Sequence, residues 1–215
     1  MGRSAVSLSG LVLAGGASTR MGFDKARAPL DGWPLALRMA ENLGSVCERV
    51  WLVRRGLSDG WPWRCREGRV MPVLREPERR ERHPLFGVAH GLANVTTSEA
   101  LIVPCDVPRM SAALVRRMAD RGPCVVWDGR SIHPLCAVLP ASWAQRALSL
   151  AMEGAAAREL VRELPRVEAS PGELQNVNTW HEVMRLPENE GALAPDREAR
   201  ARLRHERGVF WPEPE

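Results

Sequence analysis

The sequence predicts a single α/β domain with a mostly parallel central sheet flanked by helices. Short apolar runs alternate with segments whose apolar residues recur at helical spacing, which is the pattern of strands joined by helical crossovers. The run at residues 8–14 ends in two adjacent glycines, and the run at residues 100–103 is soon followed by Asp106. Because ligands bind beyond the carboxyl ends of parallel strands, these two strand ends are the first candidates for a site.

The first half of the chain contains three predicted strands and two predicted helices. After the glycines, Leu35, Met39 and Leu43 form one apolar stripe, which predicts a helix entered through Pro34. Apolar runs at residues 50–53 and 70–74 predict two further strands, and residues 85–92 predict the next helix.

The second half begins with the strand at residues 100–103, followed by a helix that Ser111 would cap. A strand at residues 124–127, a hairpin-type turn at Asp128-Gly129 and a further strand at 133–139 come next. Residues 141–164 predict one or two helices interrupted near Gly154, and Thr179 would cap the last helix. The chain thus divides into a domain at residues 1–186 and a charged C-terminal extension at 187–215 that is peripheral or disordered.

Gly15 and Gly16 predict a phosphate-binding turn. Without Cβ atoms, their backbone N–H groups can approach a bulky anion closely, and Arg20 and Lys25 add positive charge nearby. The spacing matches neither the P-loop nor the dinucleotide fingerprint. A glycine turn beside solvated cations is the alternative interpretation.

Asp106 and two asparagines are further candidates. Asp106 lies between two prolines at a strand end, where a carboxylate is well placed to hold a metal ion; the alternative, a cap for the following helix, suits Ser111 better. In an extended segment Asn176 and Asn178 would face one ligand, whereas turn formation is the alternative. His133 by itself is typical of a structural histidine.

Composition excludes several classes of protein. The 30 basic and 26 acidic residues give a net charge of +4 without a polybasic block, so nucleic acid is not an expected partner. The five cysteines contain no C-x-x-C pair and predict reduced core thiols. The absence of a signal-like or membrane-spanning apolar run predicts a cytoplasmic protein with no membrane partner.

The ordered motifs resemble the molybdenum cofactor guanylyltransferases, the MobA family of Rossmann-like nucleotidyltransferases, over about residues 8–186. The motifs are Leu13-Ala-Gly-Gly-Ala-Ser-Thr-Arg-Met-Gly-Phe-Asp-Lys25, Pro84-Leu-Phe-Gly87, Pro104-Cys-Asp-Val-Pro108, Asp128-Gly129 with His133-Pro134, and Asn176-Val-Asn-Thr179. The resemblance implies transfer of GMP from GTP to the terminal phosphate of molybdopterin, with release of pyrophosphate and use of Mg²⁺. It further suggests a molybdoenzyme or other cofactor-biosynthesis proteins as partners.

The resemblance also implies roles for individual residues. Leu13, Ala14, Gly15 and Gly16 would contact the nucleotide, Lys25 the nucleotide and its phosphates, and Asp106 the metal ion. Arg20 would stabilise the leaving pyrophosphate, and Glu76 would contact the base. Gly22 and Gly87 match loop positions of the family, and Asn176 and Asn178 match residues on the molybdopterin side.

Three positions depart from the family pattern, and two other functions remain open. Val53 stands where an Asn is frequent, Glu76 where an Asp usually reads the base, and His83 where a glycine precedes Pro84. A cytidylyl or sugar-phosphate nucleotidyltransferase of the same fold is one alternative. A non-catalytic nucleotide-binding adaptor is the other.

Overall fold

The computed structural model describes residues 7–15, 24–56, 63–189 and 196–210. The strands are β1 (Leu8–Leu13), β2 (Pro29–Leu30), β3 (Trp33–Pro34), β4 (Arg49–Arg55), β5 (Val73–Glu76), β6 (Glu99–Pro104), β7 (Cys124–Trp127), β8 (Ile132–Pro140) and β9 (Arg166–Glu168). The helices are α1 (Leu35–Gly44), α2 (Pro84–Asn94), α3 (Ala112–Arg121), α4 (Ala144–Met152), α5 (Arg158–Val161), α6 (Trp180–Met184) and α7 (Arg197–Arg207). Single 3-10 turns are formed by Lys25–Arg27, Ala141–Trp143 and Pro187–Asn189.

Seven strands form one sheet in the order β5-β4-β1-β6-β8-β7-β9. Every neighbouring pair is parallel except those made by β8, which runs antiparallel to both β6 and β7. The predicted mostly parallel sheet is therefore confirmed. Its topology brings the ends of β5, β4, β1 and β6 to the same edge as the beginning of β8.

Helices cover both faces of the sheet. Alternate residues of β1 point to opposite sides, so Val12 joins a core cluster with α1 and α3, while Leu11 joins a second cluster with α2, α4 and α5. Both residues are fully buried. The molecule is thus a three-layer α/β structure whose sheet edge remains available for a site.

The predicted helix starts agree with the hydrogen bonding. The Ser111 hydroxyl accepts a bond from the Leu114 N–H at 3.0 Å, which caps α3 as expected. Thr179 and Glu182 form a reciprocal capping box at the start of α6. Asp106 therefore does not cap α3, because Ser111 has that role.

The third strand differs from its prediction. β5 begins at Val73 and continues to Glu76, whereas Val70 is 57% exposed and forms an isolated antiparallel bridge with Arg64. Pairing with β4 extends β5 into the charged residues Arg75 and Glu76, beyond the apolar run that predicted the strand. As a result, Glu76 is placed at the edge of the sheet.

Residues 196–210 form α7 and a short tail. The Asp196 carboxylate caps the helix through the Ala199 N–H, and no residue of α7 is buried. Beyond the helix, Val209 is fully buried, and the Phe210 N–H donates to the Arg27 carbonyl at 3.0 Å. The extension thus contacts the turn that also carries Lys25.

All five cysteines are free and buried, in agreement with reduced core thiols. Among the residues that the structure describes, no helix has both the length and the apolar character needed to cross a bilayer.

Candidate active site

A cleft of about 630 Å³ opens at the carboxyl edge of the sheet. Its walls come from the ends of β1, β4, β5 and β6, the Lys25 turn and the start of α2. Seven residues predicted for the site line it: Leu13, Ala14, Gly15, Lys25, Glu76, Gly87 and Asp106. The two strand ends singled out in the sequence therefore meet in one cleft.

Gly15 lies where no side chain fits. A Cβ atom at this position would lie 2.7 Å from the Glu76 Oε1 and 2.9 Å from the Arg55 backbone nitrogen. The first neighbour is a flexible side chain, but the second is backbone and cannot easily move. Close approach to its neighbours, and not an unusual backbone angle, is what requires glycine here.

The backbone just before Gly15 forms hydrogen bonds that hold the end of β1 in place. The Ala14 N–H donates to the Val53 carbonyl at 2.8 Å, and the Leu13 carbonyl accepts from the Cys105 N–H at 3.0 Å. These bonds fix the end of β1 against β4 and the segment that carries Asp106. Ala14 would therefore meet a ligand through atoms other than its N–H.

Lys25 connects the two candidate regions. Its Nζ donates to the Asp106 Oδ2 at 3.1 Å and to the Asn178 Oδ1 at 2.9 Å. The side chains of Lys25 and Asp106 are 15% and 22% exposed, so the pair is shielded but accessible from the cleft. The Val177 N–H also donates to the Asp106 carbonyl at 2.9 Å, which fixes the asparagine segment beside the pair.

A second ion pair supports the Lys25 turn. The Asp24 carboxylate caps the turn through the Ala26 N–H and pairs with the Arg54 guanidinium at 2.6 Å. Arg54 also lies 4.7 Å from the ring centre of the buried Trp63. The turn that presents Lys25 is thus held by the end of β4.

Glu76 lies close to two of the glycines that line the cleft, Gly15 and Gly87. A Cβ on Gly87 would lie 3.1 Å from the Glu76 Oε1, close to where a Cβ on Gly15 would also meet it. Burial raises the pKa of Glu76, and the positive charges of Arg55 and Arg79 offset part of this rise. Val53 is buried beside Gly87 and provides packing instead of a polar contact.

Cys105 is next to Asp106 but is not a nucleophile. Burial raises the pKa of its thiol to about 12, and the charge of Asp106 raises it in the same direction. A thiol in this state stays protonated at neutral pH. The chemistry of the cleft must therefore come from its charged and backbone groups.

Some predicted residues are not brought to this cleft by the described structure. Gly16, Arg20 and Gly22 lie outside the described residues. Asn176 is exposed and does not line the cleft, while Asn178 reaches it through Lys25. The segment is not a strand, and the two amides differ in their surroundings: Asn178 binds Lys25, whereas Asn176 is exposed.

Sequence reasoning missed four charged or titratable residues that line the cleft: Asp24, Arg55, Arg82 and His83. Asp24 stands within the first motif beside Lys25, and Arg55 ends a predicted strand. Their positions in the sequence could therefore have indicated that they belong to the site. Arg82 and His83 lie in a charged segment that composition alone assigns to solvent. His83 also caps α2, because its Nδ1 accepts from the Leu85 N–H at 3.2 Å.

The acidic residues of the cleft suit one kind of metal ion. In the described ranges, no group of three or more His, Cys, Asp or Glu side chains could enclose a metal. Asp106 nevertheless offers a carboxylate to the cleft, whereas the Asp24 carboxylate is bound by the Ala26 N–H and the Arg54 guanidinium. Mg²⁺ is commonly held by one or two carboxylates together with substrate phosphates, so this donor set fits Mg²⁺ and not a zinc site.

The mostly parallel sheet, the close-packed Gly15 at the end of β1 and the Lys25–Asp106 pair at the sheet edge are typical of an α/β nucleotidyltransferase. Comparison with known families gives the more specific assignment. The chain belongs to the MobA-like NTP transferase domain family, whose model matches residues 10–168.

Curated relatives agree with this family, and a solved structure shares the fold. A molybdenum cofactor guanylyltransferase of Cereibacter sphaeroides is 37% identical over 64% of this chain and 72% of its own. A probable molybdenum cofactor guanylyltransferase of Trichormus variabilis is 36% identical, and the match spans 53% of this chain and about half (52%) of the relative. The crystal structure of molybdopterin-guanine dinucleotide biosynthesis protein A from Archaeoglobus fulgidus has the same fold, with a TM-score of 0.63 at 16% identity over 85% of this chain and 97% of the other.

Proposed function

We propose that this protein transfers GMP from GTP to the terminal phosphate of molybdopterin and releases pyrophosphate, with Mg²⁺ as its metal ion. The observation that carries the proposal is the Lys25–Asp106 pair at 3.1 Å, in the same cleft as Gly15. The curated names of the family relatives support the guanylyl group and the acceptor.

The nucleotide half of the cleft would lie over β1, β4 and β5. Backbone around Gly15 and Gly87 lines this half together with the side chains of Glu76 and Arg55. The exocyclic amino group of guanine is a hydrogen-bond donor, for which a carboxylate is a suitable acceptor. Glu76 therefore favours guanine over a base that presents only acceptors there.

Charge neutralisation would be the main catalytic contribution of the protein. The attacking group is a phosphate oxygen that is already ionised at neutral pH, so the reaction needs no activated side-chain nucleophile. Lys25 places a fixed positive charge where phosphates would meet, and Arg55 and Arg82 add positive charge to the cleft wall. Asn178 and Asp106 together fix the Lys25 ammonium in the cleft.

Asp106 would hold Mg²⁺ together with the phosphates of the substrate. When bound, the ion neutralises phosphate charge and favours departure of pyrophosphate. Lys25 meanwhile compensates the Asp106 carboxylate at the shielded end of the cleft.

Pyrophosphate release tests the substrate assignment. The purified full chain is assayed with GTP, CTP, ATP and UTP, each with molybdopterin and Mg²⁺. We expect release with GTP that depends on molybdopterin. Preference for CTP would favour the cytidylyl alternative, and tight GTP binding without pyrophosphate release would favour the adaptor.

A further inference from the structure

The hairpin between β7 and β8 contains a carboxylate–imidazole pair that the proposed mechanism does not use. The Asp128 Oδ2 lies 2.8 Å from the His133 Nε2. Asp128 also accepts from the N–H groups of Arg130 and Ser131, each at 2.9 Å. The Ser131 N–H, His133 and the Arg130 N–H hold the pKa of the Asp128 carboxyl well below its usual range.

This pair fixes the orientation of the imidazole. An ionised carboxylate only accepts hydrogen bonds, so the His133 Nε2 carries the hydrogen that is donated to Asp128. Nδ1 is then the ring nitrogen that Asp128 does not engage. The His133 side chain is 23% exposed, so a small molecule can reach it.

The sheet topology places His133 at the same edge as Asp106. β8 begins where β6 ends, because the two strands are antiparallel. Leu135, two residues after His133, lines the cleft. His133 pairs with Val126, which is buried in the α1/α3 cluster, and paired residues project to the same side of a sheet. A register shift between Val125 and Val126 separates His133 from Leu135, which packs against the α2/α4/α5 cluster. His133 therefore lies on the α1/α3 side of this edge, next to the strand segment that lines the cleft but not itself part of that lining.

One segment connects His133 with the reaction centre on that side. The Ala169 N–H donates to the Trp127 carbonyl at 2.8 Å, at the end of β7. Eight residues later the Val177 N–H donates to the Asp106 carbonyl at 2.9 Å, and Asn178 then binds Lys25. Residues 169–178 thus run from the hairpin to the Lys25–Asp106 pair.

The strand order separates two halves of the edge. Glu76, Gly15 and Gly87 lie on the half formed by β5, β4 and β1, whereas His133 lies on the half formed by β8 and β7. Asp106 follows β6, between the two halves. A transfer reaction centred at Asp106 that takes its nucleotide from the first half must take its acceptor from the second.

We infer that His133, oriented by Asp128, is a binding residue for the acceptor, a phosphate monoester carried on a polar heterocycle. His133 Nδ1 contacts the acceptor beyond its reacting phosphate. The inference rests on the proposed function, and it adds a specificity-determining residue on the side of the cleft away from the nucleotide.

Separate Michaelis constants for the two substrates test this inference. We expect His133→Ala to raise the KM for molybdopterin about fivefold or more, the effect of one lost hydrogen bond in a shielded site, with the KM for GTP changed less than about twofold. Asp128→Asn should give part of the same loss, because the imidazole is then less well oriented. His205→Ala, which removes an exposed histidine on α7, is the matched control and should leave both constants unchanged.

His133→Gln keeps a side chain that can donate a hydrogen bond to Asp128. It replaces the alanine variant in the same measurement if that variant does not fold. An unchanged KM for molybdopterin in either folded variant, or equal changes in both constants, would overturn the inference while leaving guanylyl transfer intact. Failure of the unaltered chain to catalyse transfer would instead overturn the proposed function, and this inference with it.

Discussion

At the scale of single residues, the cleft depends on a few groups for which substitution is sterically or electrostatically costly. Gly15 has no space for a methyl group between Glu76 and the Arg55 backbone. Lys25 donates hydrogen bonds to two partners at once, the Asp106 carboxylate and the Asn178 amide oxygen. These contacts connect three separate parts of the sequence at one point.

Gly15→Ala should destabilise the protein and weaken GTP binding. The added methyl group would meet a backbone nitrogen at 2.9 Å, and such overpacking costs about 1–3 kcal/mol. Gly44→Ala at the end of α1 is the control, because a Cβ there meets nothing within 4 Å and the substitution stabilises by about 0.4–1 kcal/mol. Urea unfolding and GTP titration compare the two variants. Equal stability and equal GTP affinity would show that the crowding at Gly15 has no consequence.

The sequence was sufficient to predict Lys25, Asp106 and Gly15 as neighbours, because strand ends of a parallel sheet converge. It could not separate Asn176 from Asn178, since that distinction depends on the irregular backbone of residues 175–178. The role of His83 as the cap of α2 could not be predicted from the sequence either. A histidine in a charged segment has no distinctive pattern.

At the scale of elements, the Lys25 turn is held from two directions. Asp24 and Arg54 hold its beginning, and the Phe210 N–H bonds the carbonyl of Arg27 at its end. Arg207 also lies 5.1 Å from the ring centre of Trp33, close to the same turn. The C-terminal segment therefore contributes to the position of a candidate catalytic lysine.

Phe210→Pro should lower both stability and turnover. Proline removes the N–H that donates to Arg27, a bond that contributes about 1 kcal/mol. Phe210→Leu retains this N–H and removes the ring that lies 5.2 Å from the Arg204 guanidinium, so it separates the two effects. Thermal unfolding and kcat are measured for each. If the proline variant matches the leucine variant in both, the backbone bond does not position the turn.

Elements with a clear apolar period were predictable, including α1, α2, α3 and the β7–β8 hairpin. β5 and α7 were not. β5 extends into a charged sequence because β4 offers it backbone partners, and α7 has no buried residue that would mark it as helical. For β5, pairing with a strand distant in sequence outweighs the local pattern, whereas α7 is an exposed, locally capped helix without an apolar period.

At the scale of the whole molecule, the sheet order organises the chemistry. Groups suited to a nucleotide lie over β5, β4 and β1, the Lys25–Asp106 pair follows at β6, and the Asp128–His133 pair lies over β8 and β7. The antiparallel strand β8 is what brings the hairpin to the carboxyl edge. Under the proposed function, this arrangement would let one sheet edge accept two substrates on opposite sides of the Lys25–Asp106 pair.

Transfer of label from α-phosphate-labelled GTP to molybdopterin tests the central claim, that the Lys25–Asp106 pair is the reaction centre, most directly. We expect the unaltered chain to label molybdopterin in the presence of Mg²⁺. Asp106→Asn should transfer label about a hundredfold more slowly or not at all, because loss of one preorganised charged group at a transferring phosphate has effects of this size. Transfer by Asp106→Asn at the rate of the unaltered chain would contradict the account.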